Sequence, residues 1–273
     1  MTATTPIDAV RLPDPYPYYA RLVSERPFAH DEELGAWVAA DAAAVRAVPG
    51  SDALRARPPA EPVPRGIVGT PAGEVFADLV RMTDGTVQVR LKTVVADALA
   101  RADTAYAARL TARFTREALE AGGAGPWEEL MFGVPARVVA ALTGLTDGAD
   151  REAARAIADL VQCIPASAPP AQQRAAATPF VHDGRAVAGG QQILVLLAAA
   201  NRDPAVNPDP HALSPGRVNP MVFTFGASSH RCPGEPLASA LAAAIVTELR
   251  TAGLSTTDTP TYRLLANARI PNL

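Results

Sequence analysis

Residues 223–246 read FTFGASSHRCPGEPLASALAAAIV, and this stretch decides the fold. It is a glycine-bearing loop, and an alanine-rich helix follows it from Pro236. Cys232 therefore lies directly before a helix, where backbone N–H groups and the positive end of the helix dipole favour a thiolate over a thiol. Gly226 and Gly234 allow the backbone to approach a flat ligand, which a Cβ atom would obstruct. The stretch predicts a thiolate that is available to ligate iron.

This loop resembles, in order and spacing, the haem-binding loop of the cytochrome P-450 family. The matching positions are Phe225, Gly226, His230, Cys232, Gly234, Leu237 and Ala238. The family's cysteine is the proximal iron ligand, so the resemblance implies that Cys232 ligates the iron of haem b and that the loop residues around it bind the cofactor. An inert cysteine packed beside a helix is the alternative, and it stays open at this point.

Segments outside the loop are similar to the same family. DPYPYYARLVSERP (14–27) and GAWVAADAAAVRAV (35–48) resemble its N-terminal helix and first sheet, and GRAVAGGQQILVLL (184–197) and ANRDPAVNPDP (200–210) resemble the stretches that lead to the cysteine loop. The resemblance implies a mainly α fold with small β-sheets, a truncated cytochrome P-450-like domain over residues 1–273. Residues 1–150 would supply N-terminal helices and a small sheet, and residues 151–273 the haem-thiolate core.

Local patterns predict the elements of this domain. Helices are predicted over 15–24, from the cap Asp41 to Val48, over 73–122 with breaks near Asp84-Gly85 and Asp103, and over 127–142, 150–164 and 236–250. Hairpins are predicted around Glu33-Leu34-Gly35 and around Asp183-Gly184, the second feeding a buried strand, and a closing strand is predicted within 261–270. Residues 49–72 and 201–220 are too rich in proline for regular structure.

The two haem propionates need cationic or hydrogen-bonding partners. The family supplies them from a His and a basic residue four apart on a helix, from an arginine on a strand, and from a His or Arg two residues before the cysteine. The resemblance places these roles on Gln88, Lys92, Arg174 and His230. Gln88 departs from the family's histidine, although its amide can still donate a hydrogen bond.

The chain also departs from the family in its middle. VVAALTGLTDGAD (138–150) resembles the region before the family's central helices, yet REAARAIADLVQCIP (151–165) already resembles the later helix that bears a Glu-x-x-Arg pair. The helices between them have no counterpart, including the one whose acid and alcohol deliver protons during dioxygen cleavage. In the retained helix, Asp159 and Gln162 stand at the Glu and Arg positions, and Gln162 cannot form the bidentate ion pair.

Composition excludes several other classes. A net charge of -3 with interleaved signs gives no basic stripe for nucleic acid. The absence of a leader pattern and of an apolar run of about 20 residues predicts a cytoplasmic protein without a membrane span. The four histidines are too scattered for a zinc site, and neither a GxSxG elbow nor a phosphate-binding loop is present.

Two functions follow from these observations. The first is a haem-thiolate enzyme of natural-product biosynthesis. It would catalyse a rearrangement, dehydration, cyclisation or peroxide-driven oxidation of a small molecule, and a redox partner for it is doubtful. The alternative is a non-catalytic helper that activates a partner biosynthetic enzyme. A helper needs no iron ligand, so Cys232 favours the enzyme. A homodimer is also predicted, because the missing helices would leave an apolar haem face in water.

Overall fold

The computed structural model describes residues 5–121, 126–145, 151–157, 171–254, 261–265 and 268–272. Contacts divide the chain into two compact units. The first comprises Met1–Thr93, Ala166–Cys232 and Leu264–Arg269, and the second comprises Val94–Pro165, Pro233–Arg263 and Ile270–Leu273. Each unit is therefore assembled from segments that lie far apart in the sequence.

The first unit contains the strands β1 (Phe28–Asp31), β2 (Ala36–Ala39), β3 (Leu54–Arg55), β4 (Ala171–Ala176), β5 (Phe180–His182), β6 (Arg185–Val187) and β7 (Gln192–Leu196). Five of them form a sheet in the order β1-β2-β7-β4-β3. The β1–β2 pair is antiparallel, and β2 pairs with β7 in parallel. The strand β4 pairs antiparallel with both β7 and β3, while β5 and β6 form a separate hairpin.

The strand β7 is buried on both faces of this sheet. Ile193 and Val195 belong to a core cluster that also contains Val45 and Val48, whereas Leu194 and Leu196 belong to a second cluster around Tyr19. Successive side chains of a strand point to opposite faces, so the apolar run Ile-Leu-Val-Leu fills both clusters at once.

The first unit also contains short helices. They are α1 (Tyr16–Glu25), α2 (Ala42–Ala47), α3 (Pro71–Ala77) and the single turn α7 (Leu197–Ala200). The carboxylate of Asp41 accepts the backbone N–H of Ala44 at 2.9 Å and begins α2. The helix α4 (Gly85–Ala100) begins in the first unit and ends in the second.

The second unit is a helical cluster. It contains α5 (Thr104–Ala121), α6 (Val134–Leu142) and α8 (Glu235–Thr251), with a π-helical turn over Glu129–Gly133 before α6. Leu110, Phe114, Val138 and Leu241 are among the buried side chains of its core. An apolar cavity of about 500 Å³ opens beside α6 and α8, and its lining includes the partly exposed Met131, Val139 and Val246.

Most elements predicted from local pattern are confirmed within the described residues. Both hairpins, the cap at Asp41, the breaks near Asp84 and Asp103 and the helix after the cysteine loop are present, and the closing segment forms two paired strands, β8 (Thr261–Leu265) and β9 (Ala268–Asn272). The short strand β3 within the predicted loop 49–72 and the strand β4 were not predicted by local pattern, because pairing with distant strands stabilises both.

Only part of the predicted helix 150–164 can be compared with the structure. Residues 151–157 are helical, while Asp159 and Gln162 lie outside the described residues. Across the ranges that the structure describes, none of the helices combines the length and the apolar character needed to cross a membrane.

Candidate functional site

The loop that carries Cys232 is closed on itself by backbone hydrogen bonds. The N–H of Gly226 donates to the carbonyl of Phe223 at 2.8 Å, and the N–H of Cys232 donates to the carbonyl of Phe225 at 2.7 Å. Gly226 adopts a φ of 78°, a left-handed conformation that glycine reaches without steric cost. Cys232 is exposed and forms no disulfide. The fold therefore presents a free thiol on a loop of fixed shape.

Core packing anchors the start of this loop to the sheet. Phe223 and Ala227 are buried in the cluster that contains β7, and the N–H of Phe223 donates to the side-chain oxygen of Asn201 at 2.7 Å. The irregular segment that follows β7 thus leads directly to the cysteine loop and holds its first residue.

Two serine hydroxyls attach the middle of the loop to the end of α2. Ser228 Oγ donates to the carbonyl of Arg46 at 3.0 Å, and Ser229 Oγ donates to the carbonyl of Pro49 at 3.1 Å. A Cβ atom on Gly50 would lie 3.0 Å from Ser228 Oγ, so the absence of a side chain at Gly50 permits this close approach.

The helix α4 holds the same loop from another direction. Gln88 Nε2 donates to the carbonyl of Ser229 at 2.9 Å, and Lys92 Nζ donates to that carbonyl at 2.6 Å. Residues four apart occupy one face of a helix, which explains why both side chains reach a single oxygen. Gln88 is buried. Burial lowers the pKa of Lys92, and the nearby Cys232 only partly opposes that effect.

Arg174 and His230 are two further polar residues of this site. Arg174 lies on β4 and is only 6% exposed. Burial lowers the pKa of Arg174 to about 10, and the nearby Asp84 carboxylate opposes that effect, so the guanidinium remains charged at neutral pH. His230 Nε2 lies 3.2 Å from Asp84 Oδ1. Both predicted propionate partners therefore interact with one carboxylate.

Asp84 is the residue of this site that sequence reasoning missed. Burial raises the pKa of Asp84, but hydrogen bonds from His230 and from the N–H of Ala56, together with the charges of His230 and Arg174, outweigh it and leave the pKa below its usual value. The spacing of Asp84, Gln88 and Lys92 at i, i+4 and i+8 was the available signal.

The structure thus places four predicted site residues together with Cys232 in the first unit, namely Gln88, Lys92, Arg174 and His230. Phe225 and Gly226 form the start of the same loop. Gly234 immediately precedes α8, at whose first turn it acts as the capping residue.

Comparison with solved structures identifies the architecture. The cytochrome P-450 enzyme CYP109B1 of Bacillus subtilis superposes with a TM-score of 0.71 at 14% identity, over 94% of this chain and 98% of that chain. The chain has the cytochrome P-450 fold. A P-450 in complex with an acyl carrier protein bearing hexadec-9Z-enoic acid is similarly related, with a TM-score of 0.73 at 17% identity over 94% of this chain and 96% of that chain.

A third P-450 structure is that of RauA with a biosynthetic intermediate of aurachin RE. It has a TM-score of 0.66 at 19% identity, over 95% of this chain and 94% of that chain. The resemblance read from the cysteine loop is therefore confirmed at the level of the fold, including the combination of α-helices with small sheets.

Sequence comparison gives shorter matches. Linoleate diol synthase of Gaeumannomyces graminis is 34% identical over 86 residues, which are 30% of this chain and 7% of that protein. Cytochrome P-450 165C4 of Amycolatopsis orientalis is 34% identical over 91 residues, which are 33% of this chain and 22% of that protein. The match therefore spans less than a quarter of either relative. No protein-family model matches the chain.

The residues of the P-450 fold present here fit a haem group. Haem iron can be ligated by a thiolate, which Cys232 would provide, and the two haem carboxylates need cationic or hydrogen-bonding partners, which Lys92, Arg174 and His230 would provide. Asp84 interacts with two of these groups, His230 and Arg174.

Proposed function

We propose that the chain binds haem b through the thiolate of Cys232 and is a haem-thiolate enzyme acting on a small molecule. The observation that carries this proposal is the exposed thiol on a loop that is fixed by the Cys232–Phe225 backbone hydrogen bond and held beside Lys92. The thiolate is the form of cysteine that ligates iron. The cytochrome P-450 fold of the chain supports the same assignment.

The propionates would bind to Lys92, Arg174 and His230, with Gln88 as a further donor. Buried or half-buried cations form stronger hydrogen bonds to carboxylates than solvated ones, because water competes less for them. Gln88 and Lys92 already donate to the Ser229 carbonyl, and both an amide and an ammonium group carry more than one N–H. They can therefore hold the loop and still donate to a carboxylate.

We further propose a role in natural-product biosynthesis. RauA was solved with an intermediate of aurachin RE, and other P-450 structures with the same fold come from the biosynthesis of glycopeptide antibiotic A47934 and of vancomycin-type antibiotics. Another of these structures contains an acyl carrier protein, which supports a substrate that is delivered on a carrier. This proposal rests on relatedness of fold.

The proposed reaction is a rearrangement, dehydration, cyclisation or peroxide-driven oxidation. Bound haem-thiolate iron would supply redox and Lewis-acid chemistry. The family's proton-delivering acid and alcohol lie on a helix without a counterpart in this sequence, and cleavage of dioxygen needs protons delivered in order. Substrates that bind iron directly, or that already contain a weak bond or a leaving group, need no such delivery.

The test of this reaction class is a set of incubations of the haemin-loaded protein with candidate pathway intermediates. Each is run with and without ferredoxin, its reductase and NAD(P)H, and separately with hydrogen peroxide. We expect product in the absence of the electron-transfer proteins. Turnover that strictly requires them and that places labelled oxygen from dioxygen in the product would contradict the proposed class.

A homodimer is proposed for the same chain. The apolar cavity beside α6 and α8 is lined by side chains that are unusually exposed for their type, with Val139 at 40% and Val246 at 54%. Contiguous exposed apolar surface usually marks an interface, and a second copy would cover it. Light scattering at micromolar concentration should give the mass of a dimer. A monomer that retains haem would exclude this assembly.

A further inference from the structure

We propose that Asp84 is the positioning residue of the cysteine loop and the counter-ion of the buried Arg174 guanidinium. This inference rests on the proposed haem site and adds to it a residue that binds neither the iron nor the propionates. Asp84 precedes the first residue of α4, and its side chain is 18% exposed, so the carboxylate is held within the first unit.

Each oxygen of this carboxylate contacts a different segment. Oδ1 lies 3.2 Å from Nε2 of His230, two residues before Cys232. Oδ2 accepts the backbone N–H of Ala56 at 2.9 Å, directly after β3. The side chain therefore ties the cysteine loop to the segment that leaves the edge strand of the sheet.

The charge of Asp84 has a second consequence. The Arg174 guanidinium is buried on β4. Burial disfavours its charged form, and the attraction of the Asp84 carboxylate favours that form. A buried cation without a nearby anion is strongly destabilised. Asp84 thus stabilises Arg174 and His230 in their positions before a ligand with two carboxylates arrives.

The backbone of Asp84 contributes as well. Its carbonyl accepts the N–H of Gln88 and so begins α4, the helix from which Gln88 and Lys92 hold the Ser229 carbonyl. Hydrogen bonds from one short segment therefore fix Ser229 and His230, the residues that lead to Cys232. The loop is organised by the protein's own groups, which lowers the entropy lost when a cofactor binds.

The first test measures backbone hydrogen exchange of the haem-free protein by mass spectrometry. In Asp84→Asn we expect exchange of the 225–232 peptide to rise about tenfold, as for loss of one charge-assisted hydrogen bond, while the peptide that covers β7 is unchanged. The control is Asp97→Asn, an exposed carboxylate further along α4, which should behave as the wild type. Unchanged exchange in 225–232, or an equal rise in β7, would overturn the proposal.

The second test measures haemin transfer from the loaded protein to apomyoglobin. Asp84→Asn should lose haemin about tenfold faster than the wild type and Asp97→Asn. His230→Asn and the double variant complete a cycle in which the two effects should add only in part, because one oxygen of Asp84 acts through His230. Full additivity, or a wild-type rate in Asp84→Asn, would contradict the proposed role.

The two tests separate this inference from the proposed function. If the wild-type protein takes up no haemin, the haem assignment fails, yet the exchange experiment still reports whether Asp84 organises the loop. If the wild type binds haemin with thiolate ligation and the exchange of 225–232 is unaffected in Asp84→Asn, the haem assignment stands and the role of Asp84 is refuted.

Discussion

Replacement of Cys232 by alanine should abolish thiolate ligation of haem. In the reduced, carbon monoxide-bound state, the wild-type protein should show the strongly red-shifted Soret band of a thiolate ligand, because the sulfur donates electron density to the iron. Cys232→Ala should lose this band completely. The measurement is a difference spectrum of protein that has been reconstituted with haemin.

The chain offers a matched control for this variant. Cys163 is the second of its two cysteines, and Cys163→Ser should retain the red-shifted band. Cys232→Ser distinguishes loss of the ligand from loss of the fold, because a hydroxyl is close to a thiol in size but is a far weaker iron ligand at neutral pH. Wild-type protein that stays colourless with haemin, or a red-shifted band that survives in Cys232→Ala, would refute the haem-thiolate assignment.

Neutral replacement of Arg174 should produce the second largest effect. A sheltered charge-assisted hydrogen bond contributes about 1.5–3 kcal/mol, so Arg174→Gln should weaken haem binding roughly tenfold to a hundredfold. The effect should exceed that of Lys92→Met, because Arg174 is buried whereas Lys92 is only half-buried and meets more competing water. Haem dissociation rates measured by transfer to apomyoglobin provide the comparison.

Arg185→Gln is the control for Arg174→Gln, because Arg185 is an exposed arginine on β6 of the same unit. Its haem dissociation rate should equal that of the wild type. Arg174→Lys tests the geometry, since it retains the charge but lacks the planar fork of donors, and it should fall between the wild type and Arg174→Gln. Circular dichroism of each haem-free variant shows whether the fold is retained. If Arg174→Gln is folded and loses haem at the wild-type rate, Arg174 does not bind a propionate.

Local sequence was sufficient for the elements that depend on near neighbours. The cap at Asp41 binds the N–H of Ala44 three residues away, and Gly226 adopts a positive φ that its own lack of a side chain permits. The apolar run of β7 predicted a buried strand, and the cysteine loop with its following helix indicated the fold. These features are encoded within a few residues, so the sequence alone determined them.

Tertiary structure decided which residues meet at the site. Gln88 and the Ser229 carbonyl are 141 residues apart, and Lys92 is 137 residues from the same carbonyl. Pairing with β7 stabilises residues 171–176 as the strand β4, on which Arg174 is buried. In the sequence, Asp84 is marked by a helix break and by its spacing from Gln88 and Lys92, whereas its contacts with His230 and Ala56 depend on three segments packing together. Contacts between residues far apart in sequence leave no local periodicity, so only the folded chain shows that Asp84 holds the cysteine loop.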